Sequence, residues 1–326
     1  MELYEATHLL IKNIAKFERL RICFNFIVYS FSYTAYNSFG FFENLFGLYF
    51  TSYLGNMLYC LRYEAKSILK NLSQNNLEIN FKQLLKRQDM FKDKTVVVTG
   101  GANGIGKCIA EEFRANGARV YIIDKEQGDH FVGDISKQQV LEEFVSHILQ
   151  KESKVDIIVN NALPIMKGID QCTYEEFQYA LNVGVTAPFY LVKLLMPHLA
   201  EGASIINISS SRDRMSQPQT ESYTAAKGGI AALTHALAIS LAGRARVNSI
   251  SPGWIDTAYT VYEGADATQQ PAGRVGNPMD IANMVLFLCS DKATFITAEN
   301  ICIDGGMTKQ MIYHADHGWK LEITSC

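Results

Sequence analysis

The 326-residue sequence lacks a surplus of charge of either sign, and it lacks the cysteine spacings of disulfide-rich or zinc-binding proteins. Its formal net charge is −3 and it contains no long basic run, which argues against nucleic acid as the main partner. The seven cysteines are odd in number, widely separated and without a CxxC pair. Reduced thiols in a cytoplasmic protein are therefore expected, rather than a disulfide framework or a metal site.

Internal repeats and low-complexity linkers are also missing, but residues 1–90 differ in composition from the rest. Residues 22–42 and 44–61 contain no charged side chain and are rich in Phe, Tyr and Leu. Each stretch is nearly long enough for a bilayer, which takes about 20 residues, although the first is rich in Asn, Ser and Thr. Membrane contact through residues 20–62 is an open alternative. A loosely ordered extension, or a segment outside the working protein, is favoured, with amphipathic helices expected over residues 65–90.

A β-branched run followed at once by glycine-rich chain opens the second part of the sequence. Residues 96–98 are all Val, which predicts a strand buried on both faces, and residues 107–116 have the apolar spacing of a helix. Gly100, Gly104 and Gly106 lie between them. A strand, a glycine turn and a helix in this order bring backbone N–H groups against a pyrophosphate. Alone, this pattern is weak support for a ligand, because a plain tight turn also uses it.

Strands and helices alternate beyond residue 94 with short connections, which predicts an α/β fold with a parallel sheet and helices on both faces. Pro188 and Pro197 predict a bend in the long helix that Thr173 begins. Further strands are predicted over residues 119–123, 131–133, 156–159 and 204–208, and helices over residues 136–150 and from Thr173 through Asn182 towards Leu199.

Two acidic residues end predicted strands near the glycine turn. Asp124 ends the second strand, roughly 20 residues after the turn, where a carboxylate can accept hydrogen bonds from the adenosine ribose. It would repel a 2′-phosphate, which predicts NAD rather than NADP. Asp134 follows the third strand and either meets the adenine edge or caps the next helix.

Three chemically capable side chains follow the fifth predicted strand. Ser210 stands at its carboxyl end, where open α/β sheets bind ligands. Tyr223 and Lys227 are four residues apart, so a helix that starts at Ser222 places them on the same face. A neighbouring ammonium favours the phenolate, which can take a proton from an alcohol while hydride moves to a cofactor. A Tyr–Lys pair alone is usually a surface pair, but its place downstream of a dinucleotide turn favours chemistry.

From about residue 91 to residue 308 the sequence resembles the short-chain dehydrogenase/reductase family. Residues 99–106 (TGGANGIG) match its TGxxxGxG turn, and residues 223–227 (YTAAK) match its YxxxK pair. Residues 252–257 (PGWIDT) resemble its PGxxxT segment, and residues 304–306 (DGG) resemble the turn after its seventh strand. Residues 160–163 (NNAL) match the NNAG motif except that Leu163 replaces glycine.

The resemblance implies a doubly wound, Rossmann-type sheet of about seven strands in residues 91–310. Outside it, residue composition predicts an N-terminal, helical extension over residues 1–90, and residues 311–326 form a C-terminal tail. It implies an NAD-dependent homo-oligomer, a dimer or tetramer, that acts on CH–OH donors and interconverts a secondary alcohol and a ketone. The implied catalytic residues are Asn182, Ser210, Tyr223 and Lys227, with Tyr223 as general acid/base. The implied cofactor contacts are Gly100, Asn103, Gly104, Ile105, Gly106, Asp124, Asp134, Ile135, Asn160, Ala162, Tyr223, Lys227, Pro252, Ile255 and Thr257. A non-catalytic nucleotide-sensing or scaffold protein on the same fold is the alternative.

Several features bear on the substrate without naming it. Arg212 and Arg214 follow Ser210 where many relatives carry small or apolar residues, so an anionic substrate group and two solvated loop charges are both open interpretations. Residues 257–273 correspond to the variable substrate lid. His314 and His317 form an HxxH spacing in the tail, but without a third ligand no metal is expected.

Overall fold

The computed structural model describes residues 90–313. The predictions for the N-terminal extension, including its helices and the membrane contact through residues 20–62, lie outside the described residues. The same holds for His314 and His317 in the tail.

Seven parallel strands form one sheet, as predicted. Their order is β3-β2-β1-β4-β5-β6-β7, and it reverses between β1 and β4. A crevice opens where the order of a doubly wound sheet reverses, at the carboxyl ends of the strands, and ligands of such folds bind there. The strands are β1 Thr95–Thr99, β2 Arg119–Asp124, β3 Phe131–Val132, β4 Val155–Asn160, β5 Leu199–Ile208, β6 Ala245–Pro252 and β7 Asn300–Ile303.

Helices cover both faces of the sheet because alternate strand residues point to opposite sides. Val97 packs in one apolar cluster with Phe144 and Leu191, and Val96 packs in the other with Phe113 and Val285. The prediction of a strand buried on both faces is therefore confirmed for β1. The helices are α1 Gly104–Ala115, α2 Gln138–Leu149, α3 Tyr174–Leu181, α4 Ala187–Leu195, α5 Glu221–Ser240, α6 Gly264–Thr268 and α7 Pro278–Cys289.

Two helices differ from their predicted bounds in ways that shape the ligand edge. Helix α1 begins at Gly104, earlier than predicted, because Asn103 takes the N-cap position with an extended backbone. The last two glycines of the turn therefore belong to the helix N-terminus. Helix α2 begins at Gln138, later than predicted, because residues 134–137 form a turn in which the Lys137 N–H donates to the Asp134 carbonyl at 3.1 Å.

The predicted helix from Thr173 is interrupted, as its prolines indicate. It begins with a capping box, in which the Thr173 hydroxyl accepts from the Glu176 N–H at 3.2 Å. Helix α3 ends at Leu181, and a π-helical segment, Asn182–Thr186, leads into α4. Pro188 has no N–H to donate within the helix and crowds the preceding turn, which explains the wider winding before it. A short 3₁₀ turn, Met196–His198, then closes the run at Pro197.

One stretch of the described chain, Tyr174–His198, is long and apolar enough to cross a membrane by length and composition. Only 44% of its most apolar window is buried inside the fold, yet Leu191 and Leu195 are fully buried in the core. Core packing against the sheet therefore accounts for the apolar face of this run.

Candidate active site

The glycine turn joins β1 to α1 through backbone geometry that favours glycine. Gly100 and Gly104 have φ angles of +66° and +55°. A Cβ on Gly106 would lie 2.1 Å from the Gly100 carbonyl oxygen, so two backbone segments meet too closely for a side chain. A Cβ on Gly104 would lie 3.1 Å from the Thr257 Cγ2, which places Thr257 against the turn. The first N–H groups of a helix have no acceptor within it, and such N–H groups bind anions in many proteins.

Two side chains join this turn to the loop after β4. The Asn161 Nδ2 donates to the carbonyl oxygens of Thr99 and Gly100 at 3.2 and 2.8 Å. The Thr99 hydroxyl oxygen accepts from the N–H groups of Asn161 and Ala162 at 3.0 and 3.1 Å. Neither Thr99 nor Asn161 was predicted as a site residue, although both lie in motifs that the sequence displays. The shape of the turn therefore depends on a strand that is distant in sequence.

Asp124 lies beside the glycine turn. Its Oδ2 accepts from the Ala102 N–H at 2.9 Å, and its Oδ1 accepts from the Glu126 N–H at 3.1 Å. The carboxylate is partly exposed. Asp124, the predicted ribose acceptor, therefore lies against the glycine turn, although α1 and β2 separate the two in sequence.

Asp134 and Ile135 are placed less directly for a cofactor. The Asp134 Oδ1 accepts from the Ser136 N–H at 2.9 Å and from the Tyr179 hydroxyl at 3.3 Å. The Ile135 side chain is buried in the core. Asp134 therefore stabilises the turn ahead of α2 without occupying its N-cap, which is Lys137. Contact of these residues with the adenine stays a prediction.

A buried amide chain lies beneath the site. The Asn160 Nδ2 donates to the Asn207 Oδ1 at 2.8 Å, and the Asn207 Nδ2 donates to the Thr234 hydroxyl at 2.9 Å. All three side chains are almost fully buried. They connect β4, β5 and α5, so a cofactor contact at Asn160 would use its backbone.

Ser210, Tyr223 and Lys227 come together at the carboxyl end of β5. The Lys227 Nζ lies 5.5 Å from the centroid of the Tyr223 ring and donates to the Ile208 carbonyl at 2.7 Å. The Ser209 hydroxyl donates to the Lys227 carbonyl at 2.8 Å, which fixes α5 against the strand. The Ser210 hydroxyl lies near the Tyr223 phenol and acts to lower its pKa.

Burial has the largest effect on both ionisable groups of this cluster. It raises the pKa of Tyr223 above the usual phenol value, while the nearby Ser210 hydroxyl and the charge of Arg212 lower it in part. Burial lowers the pKa of Lys227 to about 7. A neutral phenol beside an amine that titrates near neutrality can hold and pass on a proton.

Asn182 lies on the π segment that packs against α5. A Cβ on Gly184 would lie 2.7 Å from the Cβ of Ala226, the residue before Lys227. Gly184 therefore lets the segment approach the helix that carries Tyr223 and Lys227. The Asn182 carbonyl accepts from the Ala187 N–H, the wider spacing of a π-helix, and such departures from α-helical winding are frequent at functional sites.

A buried carboxylate that was not predicted holds the loop after Ser210. The Asp213 Oδ2 accepts from the Ser251 hydroxyl at 2.7 Å and from the Asn300 side-chain amide. The Arg214 guanidinium donates to both carboxylate oxygens, at 2.6 and 2.9 Å. Burial would raise the pKa of Asp213, but these hydrogen bonds outweigh it and hold that pKa below its usual value. The sequence does offer a sign of this role, because Asp213 lies between two arginines, three residues after the predicted catalytic serine.

The segment after β6 runs from the sheet edge to the glycine turn, where Thr257 lies against Gly104. Pro252 is buried at the strand end, and Ile255 forms an isolated parallel bridge with Gly276. Trp254 packs edge to face on Tyr262, with ring centroids 4.9 Å apart. The predicted cofactor contacts Pro252, Ile255 and Thr257 therefore lie on one continuous segment that begins at the sheet edge.

Leu163 replaces the family glycine without a special backbone conformation. It is absent from the non-glycine residues with positive φ in the described chain. Its side chain is 73% exposed. The loop after β4 therefore accommodates leucine, which leaves an apolar side chain exposed to solvent.

The family model described as enoyl-(acyl carrier protein) reductase matches residues 100–308. The chain belongs to the short-chain dehydrogenase/reductase family. An uncharacterized oxidoreductase of Thermotoga maritima is 40% identical over 254 residues, which cover 69% of this chain and 99% of the relative. L-fucose dehydrogenase of Mus musculus is 35% identical over 245 residues, which cover 66% of this chain and 89% of that enzyme.

A solved structure resembles this short-chain dehydrogenase/reductase over the same region. The apo SCOR enzyme from Clostridium thermocellum superposes with a TM-score of 0.67 at 43% identity, covering 71% of this chain and 99% of that one. The protein is thus an oxidoreductase of this family, and the resemblance seen in its motifs is confirmed.

Proposed function

We propose that the protein is an NAD-dependent oxidoreductase that interconverts a secondary alcohol and a ketone. The observation that carries the proposal is the cluster of Ser210, Tyr223 and Lys227, in which a half-buried Tyr223 lies beside a buried serine and a buried lysine at the carboxyl end of β5. A neutral phenol beside a serine hydroxyl and a lysine amine suits proton exchange with a substrate oxygen.

The residues at this edge fit a dinucleotide. Because Gly104 lacks a side chain, the space between the glycine turn and Thr257 stays open. The N-terminus of α1 offers backbone N–H groups to a pyrophosphate. Asp124 stands beside that turn, where its charge favours ribose hydroxyls over a 2′-phosphate and so favours NAD. When bound, the nicotinamide would supply hydride acceptance or donation.

Different residues bind the substrate oxygen and transfer its proton. Ser210 holds this oxygen by a hydrogen bond, and Tyr223 takes its proton during oxidation or returns one during reduction. The ammonium form of Lys227 favours the phenolate, and its pKa of about 7 allows proton exchange near neutral pH. Asn182 completes the path by which Lys227 exchanges protons with solvent.

Two other functions are less favoured. Enoyl reduction belongs to a branch of the family that spaces its Tyr and Lys more widely than in this sequence, where Tyr223 and Lys227 are four positions apart. A nucleotide-sensing or scaffold protein would not require Ser210, Tyr223 and Lys227 to stay together. We therefore favour an active alcohol dehydrogenase or ketone reductase.

We also propose a homo-oligomer, a dimer or tetramer, located in the cytoplasm and acting on a small molecule. Phe189 on α4 and Ile239 on α5 support this, because their side chains are 45% and 75% exposed on the two helices that pair across subunits in relatives.

A parallel screen of the full chain with NAD and NADP tests the proposed function. The substrates should include secondary alcohols, sugars, cyclic polyols, steroids and hydroxyacyl thioesters. We expect cofactor reduction with at least one class, and a preference for NAD of at least about tenfold, which corresponds to about 1.4 kcal/mol. NAD binding without turnover of any class would favour the nucleotide-sensing alternative.

A further inference from the structure

Arg212 lies against the ring of Tyr223. Its Cζ is 5.9 Å from the ring centroid, and its backbone N–H donates to the Ser210 hydroxyl oxygen at 3.2 Å. A guanidinium nitrogen donates to the side-chain carbonyl of Gln217. That contact holds the side chain in place and leaves its positive charge unneutralised, since an amide oxygen carries no net charge.

The two arginines of this loop differ in their partners. Arg214 is paired with Asp213 through two hydrogen bonds. By contrast, no carboxylate within residues 90–313 lies within 4.0 Å of the Arg212 guanidinium. The sequence leaves both residues equivalent, as candidate anion ligands or as solvated charges. The structure distinguishes them: of these two arginines within residues 90–313, Arg214 is paired with a carboxylate and Arg212 is not.

The position of Arg212 suits an anion on the substrate. Its side chain is half-buried, and a charge that loses water without an ionic partner destabilises the protein. The planar guanidinium can donate two parallel hydrogen bonds to a carboxylate or a phosphate. Since the charge lies beside Tyr223, such an anion would stand a few bonds from the reacting carbon.

We propose that Arg212 binds an oxyanion of the substrate, and that the enzyme prefers alcohols and ketones that carry a carboxylate or phosphate near the reacting carbon. Hydroxy acids with their oxo acids, and phosphorylated polyols, are the two sources of this chemistry. The proposal rests on the proposed function and specifies the substrate class of the same site.

Matched substrate pairs test the preference on the full chain with saturating NAD. D-gluconate and glucitol 6-phosphate are each compared with neutral D-glucitol, and 3-hydroxybutyrate is compared with 2-butanol. The variants are Arg212→Gln, Arg212→Lys and, as the matched control in the same loop, Arg214→Gln. We expect kcat/KM of the wild type to favour the anionic member of at least one pair by about 10- to 100-fold.

The effect of each variant on kcat/KM should depend on the charge of the substrate. Arg212→Gln should lose about 10- to 100-fold in kcat/KM for the anionic substrate, chiefly through KM, and less than about threefold for the neutral one. Arg212→Lys should restore part of the loss, because it keeps the charge without the planar fork. Arg214→Gln should keep the anionic-to-neutral ratio of the wild type. An equal loss on both substrates in Arg212→Gln would overturn the proposal and make Arg212 a residue that positions the loop.

A binding measurement separates this proposal from the proposed reaction. Calorimetric titration of the NADH-loaded full chain with malonate, and separately with inorganic phosphate, tests the carboxylate and phosphate sources. We expect at least one anion to bind, and Arg212→Gln to weaken it at least about tenfold. Failure of both anions to bind the wild type would overturn the proposal. If anions bind through Arg212 but Tyr223→Phe keeps full turnover, the proposed reaction fails while the anion site stands.

Discussion

Lys227 carries a positive charge into a buried position. Burial lowers its pKa to about 7, against 10.5 for a free lysine. The unfolded chain therefore binds more protons than the folded one between these values, so stability rises with pH across that window. The destabilising effect of the charge is complete below about pH 7 and fades as the pH approaches 10.5.

Lys227→Met should therefore stabilise the ligand-free protein and inactivate it. We expect the melting temperature to rise by about 2–8 °C at a pH below 7, and kcat to fall at least about 100-fold. Scanning fluorimetry across pH gives the first value, and steady-state kinetics give the second. The difference in melting temperature from wild type should shrink as the pH rises. A variant that is less stable than wild type at low pH would contradict this picture.

Tyr223 makes the two reaction directions respond oppositely to pH. Oxidation requires the phenolate as base, so its kcat/KM should rise with pH, whereas reduction requires the phenol and should fall. The charge of Arg212 lowers the pKa of Tyr223 in part. Arg212→Gln should therefore move the pH profile for a neutral alcohol to higher pH. A profile that stays in place or moves to lower pH would show that Arg212 does not act on Tyr223 in this way.

At the scale of the element, local patterns predicted most of the fold. The valine run of β1, the glycine turn and the proline break after α3 are each encoded within a few residues. The hydrogen bonds from Asn161 to the glycine turn and those to Asp213 from Ser251 and Asn300 depend on contacts between segments far apart in sequence. The difference between Arg212 and Arg214 is of this second kind, since it follows from which side chain reaches Asp213.

The contact between the π segment and α5 can be tested with two alanines. A Cβ added at Gly184, on the π segment, would lie 2.7 Å from the Cβ of Ala226 on α5. A Cβ added at Gly228, which is also on α5, would meet nothing within 4 Å. Gly184→Ala should destabilise the protein by about 1–3 kcal/mol and lower kcat, because it displaces the segment of Asn182. Gly228→Ala should be neutral or stabilising by up to about 1 kcal/mol, from helix propensity.

Denaturant unfolding and kcat of the two variants measure this contact. Equal effects of Gly184→Ala and Gly228→Ala would indicate that the close approach of the π segment has no special importance for the site.

At the scale of the whole molecule, the family fold occupies only part of the chain. The Thermotoga maritima relative is matched over 99% of its length by 69% of this chain. A protein that starts at Gln88 should therefore keep NAD affinity and kcat within about twofold and its melting temperature within about 3 °C. Calorimetry, kinetics and scanning fluorimetry of both proteins check this. Loss of folding or activity would show that residues 1–87 belong to the working enzyme.

Carbonate extraction of the full chain addresses the membrane alternative for the same region. Release into the supernatant is the expected result, and retention in the membrane pellet would support a spanning segment within residues 20–62.

Substitution of Tyr223 by Phe tests the proposed reaction most directly, because it removes one hydroxyl from the cluster of Ser210, Tyr223 and Lys227 and nothing from the glycine turn. With the substrate found by the screen, we expect kcat to fall at least about 1,000-fold while the Kd for NAD, measured by calorimetry, stays within about twofold. Retention of more than about a tenth of the wild-type kcat would contradict the role of Tyr223 as general acid/base.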